Sequence, residues 1–367
     1  MLNNPHTSGQ DLLLASLKNP HSVAELTEPQ WSLLLRMAKS CTITAQLGWL
    51  LVQNQAIAYA PEKALQHFQS AQAIIDYRKC IALWELNRLQ RALASCNTDV
   101  VVLKGCGYLL AGIPFADARL FADVDVMVEK QVLERIEQIL LTQDWQSLKL
   151  DEYDQSYYRR WMHEIPPLRH VSRSMDVDIH HTIIPPTSDL QPDPALLMHD
   201  AIGTEKGFYK ILSPCDMVLH SAVHLFFDSD LNNKLRDLVD LDQLIRHFCA
   251  KDGDFLQKIV QRADILGLQR PLYYTLRYCQ KLLATPIPGD IVLASQRFAP
   301  PVLIRWFMDK LLPMVLLPEH PDEKSPTVAV ARWLLFVRSH YLRMPLKLLI
   351  PHLARKSLKR FKQTDVH

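Results

Sequence analysis

The chain has 367 residues, and its 48% hydrophobic and 22% charged content is that of an ordinary globular protein. This composition excludes disordered, collagen-like and disulfide-scaffold chains, and the length is enough for about two to three domains. Ten glycines against 23 prolines argue against a glycine-rich dinucleotide-binding fold. Seven scattered cysteines without a CxxC pair predict free thiols in a reducing compartment. With neither a secretory signal nor a transmembrane segment evident, we expect a cytoplasmic protein.

The net charge is only +2, but it is unevenly distributed. Segment 332–367 has nine Lys or Arg residues and one acid, so the rest of the chain is net acidic. Apolar and basic residues mix along this segment, which is typical of basic helices that contact an anionic membrane surface or a nucleic-acid backbone. A C-terminal helix that packs on the body with a solvated basic face explains the same pattern. Both interpretations stay open.

The first quarter of the chain, residues 10–95, is predicted to be helical throughout, because leucines recur with the spacing of one helix face. The pattern then changes to a short, apolar, β-branched segment at 100–103, as in a buried strand. Five further elements are predicted in the middle of the chain: an alternating strand at 122–128, a helix at 131–143, short strands at 146–150 and 166–171, and an alternating strand at 175–181.

The chain after about residue 195 is again predicted to be helical. Ser213 followed by Pro214 is a helix start signal, and two more helices are expected at 231–248 and 255–266. The predicted fold class is α+β, with a small mixed β-sheet core flanked by helical regions. The predicted regions are an N-terminal helical region at 1–97, the α+β core at 98–205, a C-terminal helical region at 206–331 and the basic amphipathic segment at 332–367.

The strongest chemical feature is the pair of acids in the sequence Asp123-Val124-Asp125. Strand side chains alternate, so both carboxylates leave the same face, with Cα atoms about 6.6–7 Å apart. Two carboxylates that point together repel each other, and a hard divalent cation such as Mg²⁺ relieves that repulsion. The simpler interpretation is a pair of acids on the solvated face of a half-buried strand.

The surroundings of this pair favour chemistry with phosphates. Upstream, Lys104 is suited to pair with a phosphate oxygen, and the glycines beside it let backbone amides approach one. Downstream, the strand at 175–181 adds Asp176 and Asp178 on one face. A third carboxylate beside a metal pair can hold a second ion or accept the proton of an attacking hydroxyl.

These residues together carry a family resemblance. The order of a strand, a glycine-containing turn, an Asp-x-Asp strand and a later Asp strand resembles the polymerase-β-type nucleotidyltransferase superfamily. More closely, residues 90–250 resemble the bacterial uncharacterised nucleotidyltransferase family. The similar stretches are Val102-Leu103-Lys104-Gly105, Arg119 shortly before Asp123-Val124-Asp125, Val177-Asp178-Ile179-His180 and the helical region 220–240.

The resemblance implies a role for each site residue. Asp123 and Asp125 would bind two Mg²⁺ or Mn²⁺ ions, Asp178 would be the third carboxylate, and Asp176 is held in reserve for that position. Five residues would contact the nucleotide, which would be an NTP such as ATP: Lys104, Gly105, Cys106, Arg119 and His180. The turn here is Gly105-Cys106, where the superfamily usually has Gly-Gly or Gly-Ser, so a serine hydroxyl that would touch a phosphate is missing.

The activity implied is transfer of NMP from an NTP to an acceptor hydroxyl, with release of pyrophosphate and with the acceptor undefined. The alternative is a catalytically degenerate helical scaffold that acts through segment 332–367, for which Cys106 is the main support. A third interpretation is a toxin-like transferase that acts on tRNA ends. His220 and His224 share a helix face but lack a third ligand, so we expect core or supporting histidines. The aromatic and basic run at 157–161 is interpreted as a solvated loop rather than a nucleobase surface.

Overall fold

The computed structural model describes residues 8–148, 151–205, 207–227, 231 and 234–343 of the chain. This part has the α+β fold predicted from the sequence, with one mixed sheet and helices before and after it. None of the described helices is long and apolar enough to cross a membrane. The four regional boundaries predicted from the sequence stay predictions, although the sheet extends past the predicted end of the core.

Seven strands form one sheet within the described ranges: β1 Val100–Val102, β2 Asp123–Met127, β3 Trp145–Ser147, β4 Leu168–His170, β5 Asp176–His180, β6 Ile202–Gly203 and β7 Tyr209–Ile211. Their spatial order is β3-β4-β5-β2-β1-β7-β6. β2 is parallel to β5 and antiparallel to β1, while β1 is parallel to β7. Because β7 pairs with β1, the sheet reaches residue 211 and exceeds the 98–205 limits predicted for the core.

Fifteen α-helices lie in the described ranges: α1 Gly9–Lys18, α2 Glu28–Ser40, α3 Thr44–Gln53, α4 Glu62–Leu93, α5 Lys104–Leu110, α6 Leu133–Thr142, α7 Glu152–Trp161, α8 Pro194–His199, α9 Pro214–Phe227, α10 Leu235–Lys251, α11 Phe255–Leu266, α12 Gln269–Leu283, α13 Gly289–Gln296, α14 Val302–Leu316 and α15 Pro326–Arg343. The prediction for α11 is confirmed. α9 begins at Pro214, where the Ser213 hydroxyl accepts a hydrogen bond from the Asp216 amide. α7 occupies 152–161, so the loop predicted there is wrong.

One face of the sheet packs on α4 and α6. The alternating apolar residues of the two central parallel strands point to this face and are fully buried, because they meet the leucines of α4. The apolar cluster on this side includes Val124, Val126, Val177, Ile179, Leu89, Leu93, Ile136 and Leu140. Burial of one face fixes the register of both strands, since a slip by one residue would exchange the valines for acids.

The opposite face of the sheet meets the C-terminal helices. Val101 and Met127 belong to the larger apolar cluster, which also includes residues of α9, α10 and α12. On this same face the neighbouring positions of β2 and β5 are acidic. The C-terminal helical region thus covers one part of the face and leaves the acidic positions at the end of the strands where β1 turns into α5.

The connection from β1 to α5 has no loop, because α5 begins two residues after the strand ends. A Cβ at Gly107 would lie 2.7 Å from the Val102 carbonyl oxygen, so only glycine lets the helix fold back this closely. Lys104 has a φ of 46°, in the left-handed region that non-glycine residues rarely adopt. Such strain is usual at functional positions.

We expect Gly107→Ala to destabilise the protein. Alanine favours a helix interior by about 1 kcal/mol over glycine, but the contact with a backbone oxygen cannot relax by a side-chain rotation. The net loss in free energy of unfolding should be about 1–3 kcal/mol, which is typical of overpacking. Denaturant titration measures it. Gly203→Ala is the matched control, because a Cβ there meets nothing within 4 Å; equal stability of both variants would contradict the prediction.

Candidate active site

The strand register brings four carboxylates to one face of the sheet. In the parallel pair of β2 and β5, Asp123 is opposite Asp176 and Asp125 is opposite Asp178. Adjacent strands are about 4.8 Å apart, so facing carboxylates are close neighbours. The period of two in each strand and the parallel register together assemble the acidic cluster. The Asp-x-Asp pattern alone could not specify it.

The two acids of β5 differ in their contacts. Asp176 is partly exposed and forms an ion pair with Arg169 of the neighbouring strand. The Oδ1 atom of Asp178 is buried and, within the described residues, has no hydrogen-bond partner. An unpaired buried carboxylate oxygen is costly unless something else binds it. Of the two acids, Asp178 therefore has the surroundings of a metal ligand, while the charge of Asp176 is already paired.

Lys104 lies directly against the acidic cluster. Its Nζ atom donates a hydrogen bond to Asp125 Oδ1 at 2.8 Å, and its side chain is only 19% exposed. Burial alone would lower the pKa of Lys104, but the carboxylates of Asp125 and Asp123 raise it, so the lysine is charged. The sequence predicts that this lysine contacts a phosphate; the structure places it beside the carboxylates.

His180 lies beneath the cluster rather than at its surface. Its Nε2 is 3.0 Å from Asp125 Oδ1 and 3.4 Å from Glu164 Oε2. The residue is 1% exposed, and its buried Nδ1 has no partner among the described residues. Glu164 forms an isolated bridge with His180, and His163 places its ring 5.1 Å away. Donor atoms of these three residues all lie within 4.8 Å of one another, a geometry compatible with a metal ion.

Glu164 is a residue of the site that the sequence pattern does not predict. It precedes two prolines rather than sitting in an alternating strand, and only its pairing with the end of β5 brings it to the site. Its pKa is raised, first by burial and despite the opposing effect of His180. In the sequence, Glu164 is marked only by its position just before the strand predicted at 166–171.

The surroundings shift the pKa values of the three carboxylates in different directions. The neighbouring Asp125 and burial raise the pKa of Asp123. Although burial alone would raise it, the pKa of Asp125 is held well below its usual range by Lys104 and His180. Burial, with Glu164 and Asp125 as negative neighbours, raises the pKa of Asp178 well above its usual range. The site is thus short of positive charge. Oxygen donors in this arrangement fit a hard divalent cation such as Mg²⁺ or Mn²⁺.

Arg119 forms a buried ion pair rather than facing the acids of β2. Its Nε donates to Asp240 Oδ2 at 2.6 Å, and the Gln46 amide donates to Asp240 Oδ1 at 2.8 Å. A Cβ at Gly105 would overlap the Arg119 guanidinium, so this glycine makes room for the arginine. Asp117, an acid close to Arg119 in the sequence, pairs instead with Lys79. Asp240 is 121 residues away in sequence, and no local pattern links it to Arg119.

Two of the three other residues noted in the sequence, Cys106 and His220, are buried near the site, and His224 is partly exposed. Cys106 is 2% exposed within the apolar cluster that contains Val102, and burial raises the pKa of its thiol. His220 is buried in α9, and burial and the charge of Lys104 lower its pKa well below the usual range. His224 lies 3.6 Å from Asp237. The expectation that these histidines are core or supporting residues agrees with these positions.

The model of the family described as "Uncharacterised nucleotidyltransferase" matches residues 27–284. The chain belongs to this family. The match covers α2 to α12 and therefore the whole sheet and the acidic cluster. The resemblance stated from the sequence alone is confirmed. No curated protein matches the chain.

Two solved structures are similar to the chain. JHP933 from Helicobacter pylori is 15% identical, with 76% of this chain and 96% of that one covered and a TM-score of 0.29. A second H. pylori protein, described as a candidate nucleotidyltransferase, is 17% identical, with 71% of this chain and 97% of that one covered and a TM-score of 0.29.

We expect Asp178→Asn to stabilise the metal-free protein at neutral pH. Because the pKa of Asp178 is raised in the native state, the native state holds the proton more tightly than the unfolded chain. The stability of the wild type therefore falls as pH rises from the unfolded-state value of about 4 through the raised native value. The variant avoids this loss and should be more stable at neutral pH by on the order of 1 kcal/mol. The difference should vanish toward pH of about 4.

Thermal unfolding in chelator across this pH range measures the difference. Asp176→Asn is the control, because its exposed pair with Arg169 contributes little to stability. Added Mg²⁺ should raise the melting temperature of the wild type more than that of Asp178→Asn. A variant that is less stable than the wild type at neutral pH would contradict the prediction.

A second prediction concerns the buried Arg119–Asp240 pair. Either Arg119→Met or Asp240→Leu leaves the other charge buried without its partner and should cost about 3–5 kcal/mol of unfolding free energy. The double variant removes both charges and should recover much of that loss. A double-mutant cycle by urea titration measures the coupling. The same cycle at the exposed Arg169–Asp176 pair should give less than about 1 kcal/mol; comparable couplings at both pairs would contradict the prediction.

Proposed function

We propose that the protein is a metal-dependent nucleotidyltransferase that transfers NMP from an NTP to an acceptor hydroxyl and releases pyrophosphate. The observation that carries the proposal is the parallel register that sets Asp125 beside Asp178, with Asp123 two residues away on the same face. The unpartnered Oδ1 of Asp178 supports it further. In this proposal Asp123, Asp125 and Asp178 hold the ions, which are Mg²⁺ or Mn²⁺.

The bond changes of the proposed reaction are those of a direct displacement at phosphorus. The acceptor oxygen forms a bond to the α-phosphorus, the bond from that phosphorus to pyrophosphate breaks, and a carboxylate accepts the hydroxyl proton. Bound divalent ions would stabilise the attacking and leaving oxygens. Among the protein's own groups, Lys104 and His180 keep Asp125 ionised, which readies it as a ligand. Asp178 is the candidate proton acceptor or third ligand.

The predicted nucleotide contacts are part of the same proposal. Lys104 and Gly105 lie at the β1–α5 junction, and Lys104 contacts Asp125 directly. In the proposal both residues contact the triphosphate. Cys106 offers only its backbone there, because its side chain is buried in the apolar cluster. Direct contacts of Arg119 and His180 with the nucleotide stay predictions. Their present partners, Asp240 and Asp125, favour a role in positioning the site.

In this proposal the acceptor is a small molecule, a protein or an RNA, and the base of the NTP is not specified. A cytoplasmic location stays a prediction. Contact of segment 332–367 with a membrane or nucleic acid also stays a prediction, and residues 344–367 of it lie outside the described residues.

The experiment that tests the proposal uses NTPs labelled at the α-phosphate, Mg²⁺ or Mn²⁺, and a cell extract as the acceptor pool. We expect the wild type to transfer label and the Asp123→Asn/Asp125→Asn variant to lose transfer. Asp178→Asn should reduce the rate by roughly 10²–10⁴-fold, the range for loss of a proton-transfer group. The fraction that carries the label, whether RNA, protein or small molecule, would define the acceptor class.

Asp176→Asn is the matched control for these variants. It changes an acid on the same face and strand, but one whose charge is paired with Arg169, so transfer should stay near the wild-type rate. Loss of transfer in Asp176→Asn but not in Asp178→Asn would exchange the roles of the two residues. No transfer with any nucleotide, together with no metal-dependent nucleotide binding, would refute the proposal and favour the degenerate scaffold.

A further inference from the structure

The C-terminal helices expose an unusual amount of apolar surface. Of the 21 large hydrophobic side chains exposed in the described residues, 11 lie between residues 293 and 341. Ten of them form what we name the C-terminal apolar surface: Val302, Leu303, Ile304, Trp306 and Phe307 of α14, and Val330, Trp333, Leu334, Val337 and Tyr341 of α15. Scattered exposed hydrophobic residues are normal, but a concentration of this kind marks a binding surface.

The spacing on α15 gives a continuous stripe. Val330, Trp333, Val337 and Tyr341 are three or four residues apart and thus share one helix face. The other side of the helix is also apolar, because Val328, Ala331 and Leu335 are buried. A helix that is apolar on two sides is normally buried on both of them. The outer side of α15 therefore lacks an apolar partner among the described residues.

The orientation of α15 is fixed by contacts on its inner side. Arg338 donates a hydrogen bond to the Phe226 carbonyl oxygen at 3.1 Å and lies over the Tyr274 ring. Arg332 pairs with Glu319 at 2.7 Å. α14 packs against α15, so the two helices form one unit at this end of the molecule. The exposed stripe therefore cannot turn inward without breaking these contacts.

The sequence next to the stripe indicates what covers it. Residues 344–367 follow directly and contain six Lys or Arg residues and one acid. A second copy of the chain on this face would bring two such basic segments together, which electrostatic repulsion disfavours. An anionic lipid surface satisfies both features, because acyl chains accept the apolar side chains and headgroups attract the basic ones. Trp and Tyr are the aromatic residues enriched at such interfaces.

We propose that the C-terminal apolar surface and the basic residues after it dock the protein on an anionic membrane surface. The inference is independent of the transferase activity, since it uses none of the residues of the acidic cluster. Apolar burial and headgroup attraction act together in this arrangement, so neither component alone should give full binding.

The test is co-sedimentation of the full chain with vesicles of phosphatidylcholine alone or mixed with phosphatidylglycerol. We expect binding to the mixed vesicles that weakens with added salt, because salt screens the headgroup attraction. Trp333→Ser/Val337→Ser should weaken this binding by about tenfold, which corresponds to about 1.4 kcal/mol. Trp84→Ser is the matched control, because Trp84 lies on α4 and its exposure of 53% is similar to the 62% of Trp333. This variant should bind the vesicles as the wild type does.

A second variant tests the electrostatic component without touching the described helices. Lys359→Gln/Arg360→Gln/Lys362→Gln should remove most of the preference for anionic vesicles. No vesicle binding by the wild type, unchanged binding by the Trp333 variant or an unchanged anionic preference in the triple variant would each overturn the proposal. Dimers that the Trp333 variant dissociates, without vesicle binding, would assign the surface to a second copy. Binding to duplex RNA without vesicle binding would assign the basic segment to nucleic acid.

Discussion

Repulsion between carboxylates on one face of a parallel strand pair is the constraint around which this protein is organised. Asp125 and Asp178 face each other in register, and Asp123 is two residues from Asp125 on the same side. Without compensation these charges would push the strands apart. Lys104 and His180 stabilise the charge of Asp125, while Asp178 responds by a raised pKa. The cluster is only partly neutralised by the protein, which leaves room for divalent cations.

The rest of the fold holds this cluster in place from both sides. Behind it, the valines of β2 and β5 pack on α4 and α6, so the strands cannot slip in register. Beside it, the buried pair of Arg119 and Asp240 ties the segment before β2 to α10. Gly105 leaves space for the guanidinium of Arg119, and Gly107 lets α5 pack closely against β1. Helices before and after the sheet thus help to hold the acidic cluster in place.

Much of this arrangement was predictable from the sequence, and the failures have a common cause. Alternation over 122–128 and 175–181 predicts strands that each carry two acids on one face, because side-chain direction depends only on local geometry. Whether Asp176 or Asp178 lies opposite Asp125 depends on register, and a two-residue shift would exchange them without changing any local pattern. The Arg119–Asp240 pair and the approach of Glu164 to His180 join distant parts of the chain. Hydrophobic periodicity in one sequence has no information about such pairings.

The acidic cluster and the C-terminal apolar surface, to which we assign functions, share a physical property. Each has side chains that reduce the stability or the solubility of the protein. Buried carboxylates with raised pKa values lower the stability of the sheet, and exposed tryptophans on α14 and α15 lower solubility. Elsewhere the valines of β2 and the leucines of α4 are where packing alone would put them. Because local rules are usually broken where function requires it, we propose that the acidic cluster and the C-terminal apolar surface are the places where this chain binds its ligands. The two proposed ligands differ in charge: the acidic cluster favours divalent cations, whereas the C-terminal apolar surface and the basic residues that follow it favour a membrane with anionic headgroups.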